Sequence, residues 1–119
     1  MDTLNTKIER YQRILTDYLE SLAEQWNGSS GARLRYEVLA DTRRNHYQLT
    51  RLGWHNHKFN FLVLVHFDLN PETGRIWIQQ NNTEWLVADD LMERGVAQSD
   101  IVLGFRPEYI REAGAYAVR

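Results

Sequence analysis

Four histidines and a handful of carboxylates are the residues of this chain with the most chemical reach. His55-Asn56-His57 sets two imidazoles two positions apart. On an extended segment such positions face the same side, so both rings could reach one metal ion, with His46, His66 or Asp68 as further ligands. The H-x-H pattern is common and no third ligand stands at a set spacing, so the favoured reading is a hairpin loop with two exposed histidines. His66 and Asp68, two apart on one strand face, would suit an oriented imidazole acting as general base. The nearest hydroxyls in sequence, Thr50 and Thr73, fall in a strand and in a turn, and a hydrogen-bonded polar pair at the edge of the core is favoured instead. Asp89, Asp90 and Glu93, with Glu84, read as a solvated helix side rather than as paired catalytic carboxylates.

Arg33, Arg35, Arg43, Arg44 and Arg51 concentrate around the first hairpin, with His46 and Tyr47 among them. Arginine beside aromatics can hold a single nucleic-acid strand by salt bridging and stacking. Glu37 and Asp41 interrupt the patch, which favours a solvated hairpin. There is no phosphate-binding G-x-x-x-x-G-K-[ST], no G-x-G-x-x-G and no G-x-S-x-G. An Asp followed by Glu-x-Lys on the next strand, common in nuclease sites, is also missing: the residues two before Lys7 and Lys58 are Asn5 and Asn56. No catalytic, cofactor-binding or metal-ligating residue is assigned on this reading, and no cofactor is expected.

Composition excludes further classes. The chain has 119 residues, 43% hydrophobic and 25% charged, which fits one globular domain spanning 1–119. A net charge of −2 argues against a protein that grips phosphate backbones by bulk electrostatics. The lack of cysteine removes disulfides, thiolate nucleophiles and iron–sulfur clusters. The polar stretch from Met1 to Arg10 has no apolar signal region, which predicts a cytoplasmic chain. The longest apolar run, Phe61 to Val65, is far short of the roughly 20 residues of a membrane span.

The elements that must position these residues follow from periodicity. Leu4, Ile8, Tyr11, Leu15, Tyr18, Leu22 and Trp26 recur every three or four residues, which predicts a helix over about 3–26, ended by Gly28-Ser29-Ser30-Gly31. The period then changes to two. Strands are predicted from Leu34 to Ala40, His46 to Trp54, Phe59 to Leu69 and Arg75 to Gln80, joined by short turns as an antiparallel meander. The third strand is apolar at every odd position and at Leu62 and Leu64, as a central strand covered on both faces would be. In Asn70-Pro71-Glu72-Thr73-Gly74, Gly takes a positive-φ position. Asn82 or Thr83 is expected to cap a second helix that stops at Gly95. The remainder reads as an ordered but irregular C-terminal segment. The fold class is α+β: a long N-terminal helix on a four-stranded antiparallel meander, then a short helix and a packed tail.

One helix can cover one face of such a sheet. The large residues on both faces therefore predict self-association, as a dimer, or a partner interface. Tyr36, Trp54, Trp77, Phe105 and Pro107 are the candidate interface positions, with core packing as the competing reading for each. Arg33, Arg35, Arg43, Arg44 and Arg51 are the candidate nucleic-acid patch.

The order of short motifs is informative beyond this. Asp41, His46-Tyr47-Gln48-Leu49, Gly53-Trp54 and Val65-His66-Phe67-Asp68-Leu69 follow one another. Then come Gly74-Arg75-Ile76-Trp77-Ile78-Gln79, Asn81-Asn82-Thr83-Glu84, Gly95-Val96 and Asp100-Ile101-Val102-Leu103-Gly104-Phe105 with Pro107. Over essentially its whole length the chain resembles the XisI family, the fdxN-element excision controlling factors of cyanobacteria. The resemblance implies a protein acting beside a site-specific recombinase and a second small controlling protein, XisH, when a DNA element is excised during heterocyst development. XisH resembles nuclease-type folds, so a partner or regulator of an XisH-like protein is the implied role. The sequence departs from the family pattern at Ala97-Gln98, where a Pro and a charged residue are expected, and at Glu108, which replaces a second Pro. No catalytic residue carries over, because the family pattern defines none. A non-enzymatic regulatory factor working by protein contact is the expected function. A direct DNA-binding accessory factor is the alternative, and a small hydrolytic or metal-dependent enzyme is third.

Overall fold

The structure is a computed structural model and describes residues 3–29 and 33–119. Helix α1 runs from Leu4 to Ser29, a turn past the predicted end; Ser30 and Gly31 of the expected stop lie outside the described residues. Thr3 starts it, its hydroxyl oxygen accepting the Thr6 N–H at 3.1 Å. The apolar stripe buries Tyr11, Leu15, Tyr18, Leu19 and Leu22 against the sheet. At the far end, the Asn27 side-chain amide pairs with the backbone of Tyr36, donating to its carbonyl and accepting its N–H, each at 2.9 Å. That pairing satisfies part of the open edge of the sheet.

The four expected strands form as β1 Leu34–Asp41, β2 His46–His55, β3 Lys58–Leu69 and β4 Ile76–Asn81. They pair antiparallel in chain order. A fifth strand, β5 Ile101–Leu103, joins β4 in parallel. The sequence reading left this segment irregular because three residues carry no period. It pairs because the chain makes a crossover through α2 Val87–Glu93, which returns it in the same direction as β4. Helix α2 also begins later than expected. Asn81, not Asn82 or Thr83, organises its approach: its Oδ1 accepts from the Thr83 N–H and hydroxyl, and the Thr83 oxygen accepts the Trp85 N–H. Gly95, at φ +107, ends the helix as predicted. Asp90 leaves the solvated side assigned to it, because its carboxylate accepts the Tyr18 hydroxyl at 2.7 Å.

A β-bulge decides which residues face which way. Counting from the β2–β3 turn, pairing is regular as far as Thr50 with Val63, and then Leu49 pairs with Val65, leaving Leu64 as the extra residue. Beyond the bulge Val65, Phe67 and Leu69 face α1 in the core. Before it, Phe59, Phe61 and Val63 point to the opposite, outer face. The odd positions of β3 therefore do not form one buried row.

The outer face is covered only in part. Helix α3 Glu108–Glu112 lies over β4, and the tail that follows pairs with the free edge of β5 through a parallel bridge between Ala117 and Val102. The Arg111 guanidinium sits 5.2 Å from the Trp77 ring, the Ala117 N–H donates to Ile101, and Val102 is fully buried beneath. Over β2 and β3 nothing described covers the sheet. No helix among the described residues is long and apolar enough to cross a membrane.

Candidate functional site

The uncovered outer face carries two adjoining features, a polar network at one end of β2–β3 and an aromatic patch at the other. The network is set by register. His46 stands opposite Asp68, and Gln48 opposite His66, so the four share one face as direct and diagonal neighbours. His46 Nδ1 lies 2.5 Å from Asp68 Oδ1 and 3.3 Å from His66 Nε2. His66 Nδ1 is 3.3 Å from Gln48 Oε1, while the Gln48 amide NH2 donates to the Thr50 hydroxyl oxygen at 2.8 Å. On the β4 side a second irregularity, between His66 and Phe67, lets the Gln79 amide donate to Asp68 Oδ2 at 3.1 Å. Partial burial is the largest cause holding the His66 imidazole below its ordinary pKa; the His46 ring acts in the same direction and the Asp68 carboxylate opposes it.

The bulge creates this cluster. Without Leu64 as an extra residue, the regular count from the β2–β3 turn would set His46 opposite Phe67, and His66 and Asp68 would project from the other face. The sequence reading saw that His66 and Asp68 share a face and named His46 as a further ligand. It centred the grouping on His55 and His57, however, and the structure separates these. His55 ends β2, and Asn56 and His57 form a two-residue turn with φ of +51° and +63°, so the segment is not extended there. Among the described residues, His46, His66 and Asp68 form the group of three whose ligand atoms all lie within 4.8 Å of one another.

The aromatic patch lies at the β2–β3 turn. Trp54 and Phe59 are paired across the strands with ring centroids 5.4 Å apart, and Phe59 and Phe61 stack at 6.5 Å. These three side chains are 63%, 54% and 66% exposed, and Leu39 on β1 is also more than half exposed. Arg33 and Arg35 border a shallow groove beside Trp54 and Phe59. Such a contiguous apolar surface, rimmed by charge, is the usual mark of a contact site.

The other candidate residues are scattered. Tyr36 faces α1, half-buried edge-on against Trp26 at 5.3 Å. Trp77 is half-buried beneath Arg111. Phe105 and Pro107 are exposed before α3, apart from the patch, and Pro107 caps that helix. The five arginines are not brought together. Arg43 and Arg44 sit in the β1–β2 turn, separated from Arg33 and Arg35 by about 25 Å of strand. Arg51 pairs in register with Tyr36 and so faces away from Arg35. Glu37 and Asp41 neutralise Arg35 and Arg44 at 3.6 and 3.2 Å. Phe59 and Phe61 were missed as surface residues because their alternation signals a core row; only the bulge reverses it.

The arrangement defines a small α+β protein that presents a half-covered sheet face. The family described as XisI protein matches residues 1–118, and the chain belongs to the XisI family. A crystal structure of a XisI-like protein from Anabaena variabilis ATCC 29413 is 32% identical, with 98% of this chain and 100% of that chain aligned at a TM-score of 0.77. The fdxN element excision controlling factor XisI from the same organism shares the fold at 22% identity, with 95% and 99% aligned and a TM-score of 0.78. No curated protein sequence is significantly similar to the chain.

Proposed function

We propose that this protein is a non-enzymatic regulatory factor in the site-specific excision of a DNA element. It works by protein contact, with an XisH-like protein or the recombinase as partner and the Trp54–Phe59–Phe61 surface as the docking face. Family membership supports the excision role. The observation that carries the contact reading is that three adjacent aromatic side chains, each more than half exposed, lie where neither α1 nor the tail reaches. Central, desolvated aromatics dominate protein interfaces, and a single one contributes on the order of 2 kcal/mol, or thirtyfold in affinity. The scattered and partly neutralised arginines favour this reading over direct DNA binding.

The test is co-expression with an XisH-like protein, with copurification measured for the wild type and for Phe61→Lys. Retained binding in the wild type and loss in a variant of unchanged thermal stability is the expected outcome. A wild type that binds DNA at low salt and releases it steeply as salt rises, with no protein partner, supports the accessory-factor alternative instead. The dimer expected from the sequence would use the same face. Sedimentation of the chain alone and with its partner distinguishes the two occupants.

A further inference from the structure

The function proposed above makes no use of the His46–His66–Asp68 cluster. We infer that these three side chains form a binding site for a divalent transition metal ion of the Zn2+ class, held by His46 Nδ1, His66 Nε2 and Asp68 Oδ1.

The first argument is a count of protons. His66 directs its Nδ1 at Gln48 Oε1, and the Gln48 amide is oriented by its own donation to Thr50. With the Gln48 amide in this orientation, His66 Nδ1 carries the hydrogen and Nε2 presents a lone pair. That lone pair and the Asp68 carboxylate both face His46 Nδ1, at 3.3 and 2.5 Å. One N–H on His46 cannot serve two acceptors well, and the shorter contact goes to the carboxylate. A cation in place of that proton would engage all three lone pairs.

The second argument is geometric. Nitrogen and oxygen donors about 2.0–2.2 Å from a tetrahedral Zn2+ stand roughly 3.3 Å from one another. The His46–His66 pair already has this separation. The His46–Asp68 pair must open by somewhat under 1 Å, and the His46 side chain, half exposed, is free to turn by that amount. Two imidazoles and one carboxylate suit a borderline transition ion better than Mg2+ or Ca2+, which favour all-oxygen sets.

The third argument is the surrounding shell. Metal-bound histidines characteristically donate their second ring nitrogen to a carbonyl or carboxylate, and ligand carboxylates are themselves hydrogen-bonded. Gln48 fills the first role for His66 and Gln79 the second for Asp68. Both glutamines reach their partners from neighbouring strands. An ion here would tie β2 to β3 immediately beyond the Leu64 bulge, and the solvent side would leave an open coordination position.

The test uses full-length protein stripped with a chelator and dialysed. Zn2+ is titrated in by calorimetry, Co2+ by its visible absorption, and the thermal midpoint is followed with each. The inference expects one ion per chain, a Co2+ spectrum of low-symmetry nitrogen–oxygen coordination, and a midpoint that rises with metal concentration. Asp68→Asn and His46→Ala, both on an exposed face, should retain native circular dichroism and lose the midpoint shift. Gln48→Leu should weaken binding by roughly tenfold or more while leaving all three ligands in place. The His55→Ala/His57→Ala double variant should bind as the wild type does. Absence of saturable one-to-one uptake overturns the inference, as does uptake that survives Asp68→Asn or is lost with His55 and His57.

Discussion

Three tyrosines lock the helix–sheet interface, and raising the pH tests that role directly. Tyr11 donates to Asp100 Oδ2 at 2.6 Å, Tyr18 to Asp90 Oδ2 at 2.7 Å, and Tyr47 to Asn45 Oδ1 at 3.2 Å, all three rings being buried. Burial is the first cause raising each phenol above its ordinary pKa of 10.0. The Asp100 and Asp90 carboxylates add to it for Tyr11 and Tyr18, and Tyr47 is pushed up to about 12. In the unfolded chain the same phenols ionise near pH 10, so above that pH the unfolded state holds fewer protons than the folded state. Stability contributed by the neutral phenols is complete below pH 10 and is lost as pH rises. Each tyrosine removes about 1.4 kcal/mol per pH unit while its folded form stays protonated, so three together remove about 4. Tyr47 stops adding to the slope near pH 12, after a loss of about 3 kcal/mol. Against a total of about 5–15 kcal/mol for a domain of this kind, losses of this size should remove a large share of the stability between about pH 10 and pH 12, so that the urea midpoint falls steeply as the pH rises. Tyrosinate absorbance and far-ultraviolet circular dichroism, recorded on the same samples, should change together for these residues. Tyr18→Phe should cost about 2 kcal/mol at neutral pH and reduce the alkaline slope by about a third. Ionisation of all the tyrosines near pH 10 with an unchanged dichroism spectrum would refute the reasoning, as would an unaltered slope in Tyr18→Phe.

Further predictions concern packing and turns. Phe67→Ala, in the fully buried row facing α1, should lower stability by about 3–5 kcal/mol in urea unfolding. Gly53 sits at φ +138, and a Cβ there would meet the Arg33 carbonyl, so Gly53→Ala should cost more than about 1 kcal/mol by the same measurement. Asp41 Oδ1 accepts the Arg43 and Arg44 N–H groups, and the Arg44 backbone bond is the largest cause holding its carboxyl below the ordinary value. Its contribution is present above about pH 4 and lost as pH falls further, so Asp41→Ala should flatten the acid limb of a stability–pH curve. Phe61→Lys should leave thermal stability within about 0.5 kcal/mol of wild type while reducing any self-association seen in sedimentation.

The helix, the meander and most strand limits were legible because each rests on a period that survives for several residues. Leu4 to Trp26 repeats for six turns, and Leu34 to Val38 alternates cleanly. Gly74 and Gly95 were legible for another reason, since a positive φ leaves few residue choices. What escaped was decided by single residues or by distant pairing. β5 is too short to show a period and exists because β4 offers it an edge. The insertion of Leu64 leaves no local mark in a run of apolar residues, yet it turns Phe59 and Phe61 outward and brings His46 opposite Asp68. The candidate site was therefore half visible: the His66–Asp68 spacing could be read, whereas the arrival of His46 depended on a register no local pattern reveals. His55 and His57 illustrate the converse. Their spacing was suggestive only on an extended backbone, and a two-residue turn removes that premise.

The clasp at Asp100 has a consequence for the order in which the chain assembles. Lys7 bonds this carboxylate at 3.2 Å from 93 residues away, and Tyr11 from 89 residues away. Helix α1 and the strand hairpins are local in sequence and can form while synthesis proceeds, but such distant closures carry the largest loop entropy and come late. Until residue 100 has emerged from the ribosome, Lys7 and Tyr11 lack the Asp100 carboxylate and β4 lacks its β5 neighbour. The C-terminal segment thus acts as the latch of a nearly finished protein, closing on residues that were made first.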